Sequence, residues 1–148
     1  MTPDGVSTED WERVMQLACD IANASEDDDD AAGRRAGEQM LSLLDDLHKK
    51  YGPLPSLLAT RADYTDAPHE REYWLLAAYE AAERRDDPKN LVWIAHSLAQ
   101  YYIEDAGDDD VGVRWLARLE QHLRVFAAEH EAGELQKLRA IVAARRKP

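Results

Sequence analysis

Apolar residues recur along this chain at three- and four-residue spacing, interrupted by breaks rich in Pro, Gly and Asp, and this pattern predicts about seven helices. Ser7 and Asp10 are spaced as at a helix start, and Trp11, Val14, Met15, Ala18, Ile21 and Ala22 then give a first helix over about 8–23. The run Ser25–Asp30 suits a helix N-terminus better than a helix interior, so the second helix starts inside or just after it. It carries Ala36, Met40, Leu43, Leu44 and Leu47 inward and stops at Gly52-Pro53. Pro55 opens a short third helix with Leu57, Leu58, Ala59 and Ala62, ending near Asp63 or Tyr64. Asp66-Ala67-Pro68 and Asp87-Pro88 read as caps with an early proline. They open a fourth helix with Leu75, Leu76, Tyr79 and Ala82 inward, and a fifth with Leu91, Ile94, Ala95, Leu98 and Tyr102 inward. Val111, Trp115, Leu116, Leu119, Leu123 and Phe126 mark a sixth. Leu135, Leu138, Ile141 and Val142 mark a seventh from Glu134, after a break at Glu131-Ala132-Gly133. Sustained apolar alternation is missing, so no strand is predicted and the fold class is all-α.

The odd-numbered helices share a register. Leu17-Ala18 with Ile21, Leu58-Ala59 with Ala62, Leu98-Ala99 with Tyr102, and Leu138 with Val142 follow one another at steps of 41, 40 and 40 residues. Leu75-Leu76 with Tyr79 maps onto Trp115-Leu116 with Leu119 at the same step of 40. A register kept across four helices predicts hairpin units, at about 8–50, 54–86 and 88–129 with a final helix at 134–146, each burying its stripe on the next. The alternative is a compact helical bundle. At 148 residues the expectation is a single domain. Leu98-Ala99-x-x-Tyr102, the acidic loop after it and the Pro88-x-Asn90 entry resemble the tetratricopeptide repeat, with a longer step, Ala62 in place of the aromatic and Arg139 in place of the small residue. That resemblance implies a right-handed stack of hairpins and a binding role.

The net charge is −12, and it is uneven: residues 1–66 hold 15 Asp and Glu against 6 Lys and Arg, and residues 67–148 hold 15 against 12. Such a field repels nucleic acid and anionic membranes and speeds encounter with basic proteins. Hydrophobic content of 45% with four Trp and six Tyr provides for a core. Neither a membrane-length apolar run nor the cationic and apolar regions of a signal peptide are present, so the expected location is cytoplasmic. The single Cys19 excludes an internal disulfide or a multi-thiolate metal site and reads as a small core residue.

Chemical signatures are sparse. His69-Glu70-Arg71-Glu72-Tyr73 lacks the second His of a zinc hydrolase helix, and His122 and His130 have no third ligand nearby, so no metal and no cofactor is expected. Asp108-Asp109-Asp110-Val111-Gly112 places its Gly too early for a calcium loop and lacks the closing Glu. Arg124 and His130 stand in the Arg-x5-His spacing that resembles the HEPN ribonucleases, but 13 Arg and 5 His make one such spacing a chance event, and Val125 replaces the usual polar residue. No catalytic residue is assigned and the chain is not expected to be an enzyme.

The binding reading places the intra-hairpin turns along one acidic rim: Asp27, Asp28, Asp29 and Asp30; Asp63 and Asp66; and Glu104, Asp105, Asp108, Asp109 and Asp110. Lys49, Lys50, Arg84, Arg85 and Lys89 fall on the opposite edge. Trp93, His96 and Gln100, with Tyr101 beside them, form an aromatic face opposite the buried stripe of the fifth helix. In character this is similar to the acidic immunity proteins of bacterial polymorphic toxin systems. That similarity implies a basic toxin domain as partner, held by covering its substrate-binding surface. An adaptor or secretion chaperone holding a peptide is the other class.

Overall fold

The computed structural model describes residues 1–147 and, within them, is all-helical. Seven α-helices follow in order: α1 Thr8–Glu26, α2 Asp30–Tyr51, α3 Pro55–Asp63, α4 Pro68–Arg84, α5 Pro88–Gln100, α6 Asp109–Val125 and α7 Glu129–Arg145. One π-helical turn, Tyr101–Asp105, continues α5. The closest packing is within the pairs α1–α2, α3–α4 and α5–α6. Each of α4 and α6 then leans on the first helix of the following unit, and α5 touches both α3 and α7. The turns are short, so these pairs are antiparallel hairpins set side by side.

Three of the connections are built alike. Asp28 (φ 52°), Asp86 (φ 49°) and Gly107 (φ 66°) take the left-handed conformation that closes the preceding helix. The next residue in each case, Asp29, Asp87 or Asp108, accepts the amide hydrogen of Ala32, Asn90 or Val111 with its side chain and caps the following helix. The acidic runs thus supply helix termini before they supply any surface charge. Helix α3 starts without such a cap, because its N-cap is Leu54. Asp4 supplies it from outside: its Oδ2 accepts the Ser56 amide at 2.7 Å, and its Oδ1 accepts the hydroxyls of Ser56 at 2.8 Å and Thr2 at 2.6 Å. Arg85 donates to the Asp4 carbonyl, so the segment before α1 is tied to both α3 and the α4–α5 turn.

Buried side chains fall into two clusters. The larger joins α3–α7 through Leu75, Ile94, Leu98, Ile103, Leu116, Leu119 and Leu138. The smaller holds Val6, Val14, Met40, Leu44, Leu47 and Leu57 beneath the first hairpin. Asp10, buried in that hairpin, accepts from Lys50 Nζ at 2.7 Å and Tyr51 Oη at 2.5 Å, and these bonds hold its pKa down to about 2.

The structure departs from the apolar pattern at three helices. Helix α1 runs three residues further than its apolar pattern, to Glu26. Met15 is 49% exposed and Cys19 is exposed, so neither belongs to the core. The apolar positions of α1 cover more of its circumference than one hairpin partner can bury. Leu76 is 39% exposed, with Ala78 and Ala81 buried in its stead. Helix α7 begins at Glu129, because Glu129 and Glu131 favour a first turn there and Gly133 is accommodated inside the helix.

Candidate functional site

The helices α1, α3 and α5 present one side of the molecule, and a cavity of about 450 Å³ opens between them and the segment before α1. Its walls are Trp11 and Glu12 from α1, Ser56, Ala59, Thr60 and Asp63 from α3, and Lys89, Trp93 and Ile94 from α5. Spacing explains the set: residues 56, 59, 60 and 63 share one face of α3, and 89, 93 and 97 share one face of α5. The lining is mainly apolar, with Trp93 40% exposed and the Lys89 ammonium 4.6 Å from the centre of its ring.

Beyond Asp63 lies a second, wider cleft between the C-terminal half of α1, the start of α2 and the end of α3. Asp29, Asp30, Glu38, Asp63 and Asp66 give it a negative lining against Arg34, the one cation in it among the described residues, and Gly33 and Gly37 open gaps between the Arg34, Glu38 and Leu41 side chains of its α2 wall. Asp63 borders both spaces. The two form one surface, apolar at one end and acidic at the other.

No protein-family model, curated protein or solved structure matches the chain. The placement of each side chain therefore carries the functional argument.

Along the proposed rim, the turns differ in what their carboxylates do. At the α5–α6 end Asp105 pairs with Arg71 at 3.2 Å, Asp109 with Arg145 at 2.7 Å and Asp110 with Arg146 at 3.1 Å. Glu104 accepts from Gln100, and Asp108 is engaged as the α6 cap. At the α1–α2 end Asp27, Asp28 and Asp30 are exposed without an ion-pair partner among the described residues. Negative potential thus gathers at the first hairpin and the end of α3.

The aromatic face of α5 is likewise divided. Trp93 opens into the apolar cavity. Tyr101, expected beside it, is 4% exposed and donates its hydroxyl to the Pro68 carbonyl, because the π turn rotates Tyr101, Tyr102 and Ile103 inward together. His96 faces α7, 3.9 Å from Glu134 and edge-on to His130; its Nε2 is buried without a hydrogen bond among the described residues, and burial lowers its pKa. Gln100 is exposed. Arg124 lies in the last turn of α6 beside Glu120, and His130 in the first turn of α7 beside His96. No group of three potential metal ligands converges among the described residues.

Sequence reasoning missed Trp11, Glu12 and Ala59 as surface-forming residues, and it set Lys89 on the edge opposite the acidic rim, whereas Lys89 and Asp63 line one cavity. The signal for Trp11 was the over-wide apolar arc of α1: Trp11 and Met15, one turn apart, have no partner helix to cover them fully.

Proposed function

We propose that this chain is an acidic protein-binding module that acts by occlusion, as an immunity protein does: it covers the basic substrate-binding surface of a toxin domain. The observation that carries the reading is the two-part surface on α1, α2, α3 and α5. The acidic cleft attracts a basic domain, and the cavity walled by Trp11 and Trp93 accepts an apolar prominence of it. Charge of this kind raises the association rate, and buried aromatics lower the dissociation rate. The apolar cavity also favours the second reading, an adaptor holding an extended peptide, and the two part on whether the partner must be folded.

Coexpression with the product of the neighbouring gene, followed by surface plasmon resonance, tests the proposal. The expected complex forms with a folded basic domain and protects cells from it. Replacing Asp27, Asp28 and Asp30 together by Asn, which leaves the Asp29 cap intact, slows association by about tenfold at low salt. The Trp11→Ala, Trp93→Ala double variant speeds dissociation by about tenfold or more. An association rate indifferent to both salt and the Asn substitutions discards occlusion by charge. A partner that binds equally well unfolded gives the adaptor reading instead.

A further inference from the structure

Asp63 ends α3 where the apolar cavity and the acidic cleft meet. Among the described residues it has neither a hydrogen-bond nor an ion-pair partner. Arg71, the cation that acts on it, is held by Asp105 at 3.2 Å and lies 5.7 Å from the centre of the Tyr101 ring. Asp63 is exposed to water, and it borders both the apolar cavity and the cleft, whose walls displace part of the solvent around its carboxylate. That desolvation raises its pKa to about 6, against the lowering effect of Arg71. A partly desolvated carboxylate without a partner costs the fold stability, and a cation arriving from outside would remove that cost.

We propose that the cavity is a receptor for one arginine side chain of the partner protein, its methylenes lying against Trp11, Ala59 and Trp93 and its guanidinium paired with Asp63. This rests on the α1, α3 and α5 surface being the binding face. A volume of about 450 Å³ accommodates one long side chain. The guanidinium matches a carboxylate through two parallel hydrogen bonds and tolerates desolvation better than an ammonium. Electrostatics point the same way. Glu12 from α1 shares the cavity, and Asp29, Asp30, Glu38 and Asp66 line the cleft side with Asp63, so five further carboxylates stand against four cations: Lys89 from α5, Arg34 from α2, Arg71 from α4 and the Met1 ammonium, which donates to Thr8 Oγ1 at 2.6 Å. Tyr64, the next residue, adds no charge at neutral pH, and its pKa is raised by burial.

The probe is the blocked tripeptide acetyl-Ala-Arg-Ala-amide, followed through the four indole N–H resonances of the ¹⁵N-labelled protein. Trp11 and Trp93 line the cavity, and Trp74 and Trp115 serve as references away from it. Expected are saturable shifts at Trp11 and Trp93 near neutral pH. Affinity falls about tenfold in Asp63→Asn, and by a similar factor when the pH is lowered to about 5, as the carboxylate protonates. The same peptide with Gln or Leu in place of Arg binds about tenfold more weakly. A Leu peptide binding as tightly as the Arg peptide, or an Asp63→Asn variant matching the parent, overturns the proposal. A Lys peptide binding as tightly overturns the guanidinium assignment, and free arginine binding as tightly makes the site one for a small molecule.

Folding is controlled by the variant itself. Asp63 has its pKa raised on folding, so its contribution to stability is full below the unfolded value of 3.8 and is lost as pH rises through about 6. Asp63→Asn therefore melts no lower than the parent at neutral pH. Loss of peptide binding in this variant, with no partner complex formed, leaves the receptor standing and removes the immunity reading. A complex that depends on Trp11 and Trp93 but not on Asp63 does the reverse.

Discussion

Gly112 and Gly133 both lie inside helices, and their surroundings give opposite expectations. A Cβ on Gly112 would stand 2.3 Å from Ile103 Cγ1, within a fully buried side chain that has no free end to swing away. A Cβ on Gly133 meets nothing within 4 Å. Gly112→Ala should lose about 1–2 kcal/mol, overpacking outweighing the gain in helix propensity, while Gly133→Ala should gain about 0.5–1 kcal/mol. Urea unfolding of the two variants checks the pair, and a stabilised Gly112→Ala would mean that Ile103 is not packed as described. The same contact shows why Tyr101 was misread. A period of 3.6 places Tyr101 off the buried stripe, but the π turn widens the helix by one residue and buries three in succession, with Ile103 seated on Gly112. Nothing in the run Tyr101-Tyr102-Ile103 distinguishes a π turn from an α turn.

At the scale of the element, boundaries were legible wherever the sequence supplies its own cap. Asp29, Asp87 and Asp108 mark starts that the structure places at Asp30, Pro88 and Asp109, because a short carboxylate competes for the first free amides of a helix. Helix α4 opens at Pro68 as expected, but on Ala67 without a side-chain bond, so Asp66 is not its cap and the proline alone marks the start; the start of α7 is hidden because Ala128 caps it without a side chain and no proline follows. The cap of α3 was equally invisible, since Asp4 lies 52 residues from Ser56. Asp4→Ala leaves the Ser56 amide and hydroxyl without their acceptor in a buried setting, and is expected to cost about 1–3 kcal/mol. It should also speed hydrogen exchange at the Ser56 amide before other amides of α3. Unchanged protection there would show that Asp4 does not cap the helix.

Across the whole molecule, the two buried clusters differ in extent, and the first hairpin meets the rest through the segment before α1, Leu54, Leu57 and a few polar ties that include the Arg61–Asp45 ion pair. Native-state hydrogen exchange should therefore open α1 and α2 at a lower free energy than α4, α5 and α6, by about 1 kcal/mol or more, because fewer apolar contacts hold them. Equal protection in both parts would show one cooperative core. Such a joint is where the cavity and the acidic cleft both sit, so the face proposed for binding coincides with the less tightly packed half. The pattern of apolar positions by itself determined that the chain is all-helical, how many helices it has and which face most of them bury, since each of these follows from spacing and local capping. Tertiary structure alone decided which carboxylates remain unpaired. Asp109 and Asp110 meet arginines 36 residues away, whereas Asp63, exposed at the end of α3, meets none among the described residues. Charge along a sequence is local, but whether a charge is compensated depends on which distant side chain the fold brings to it.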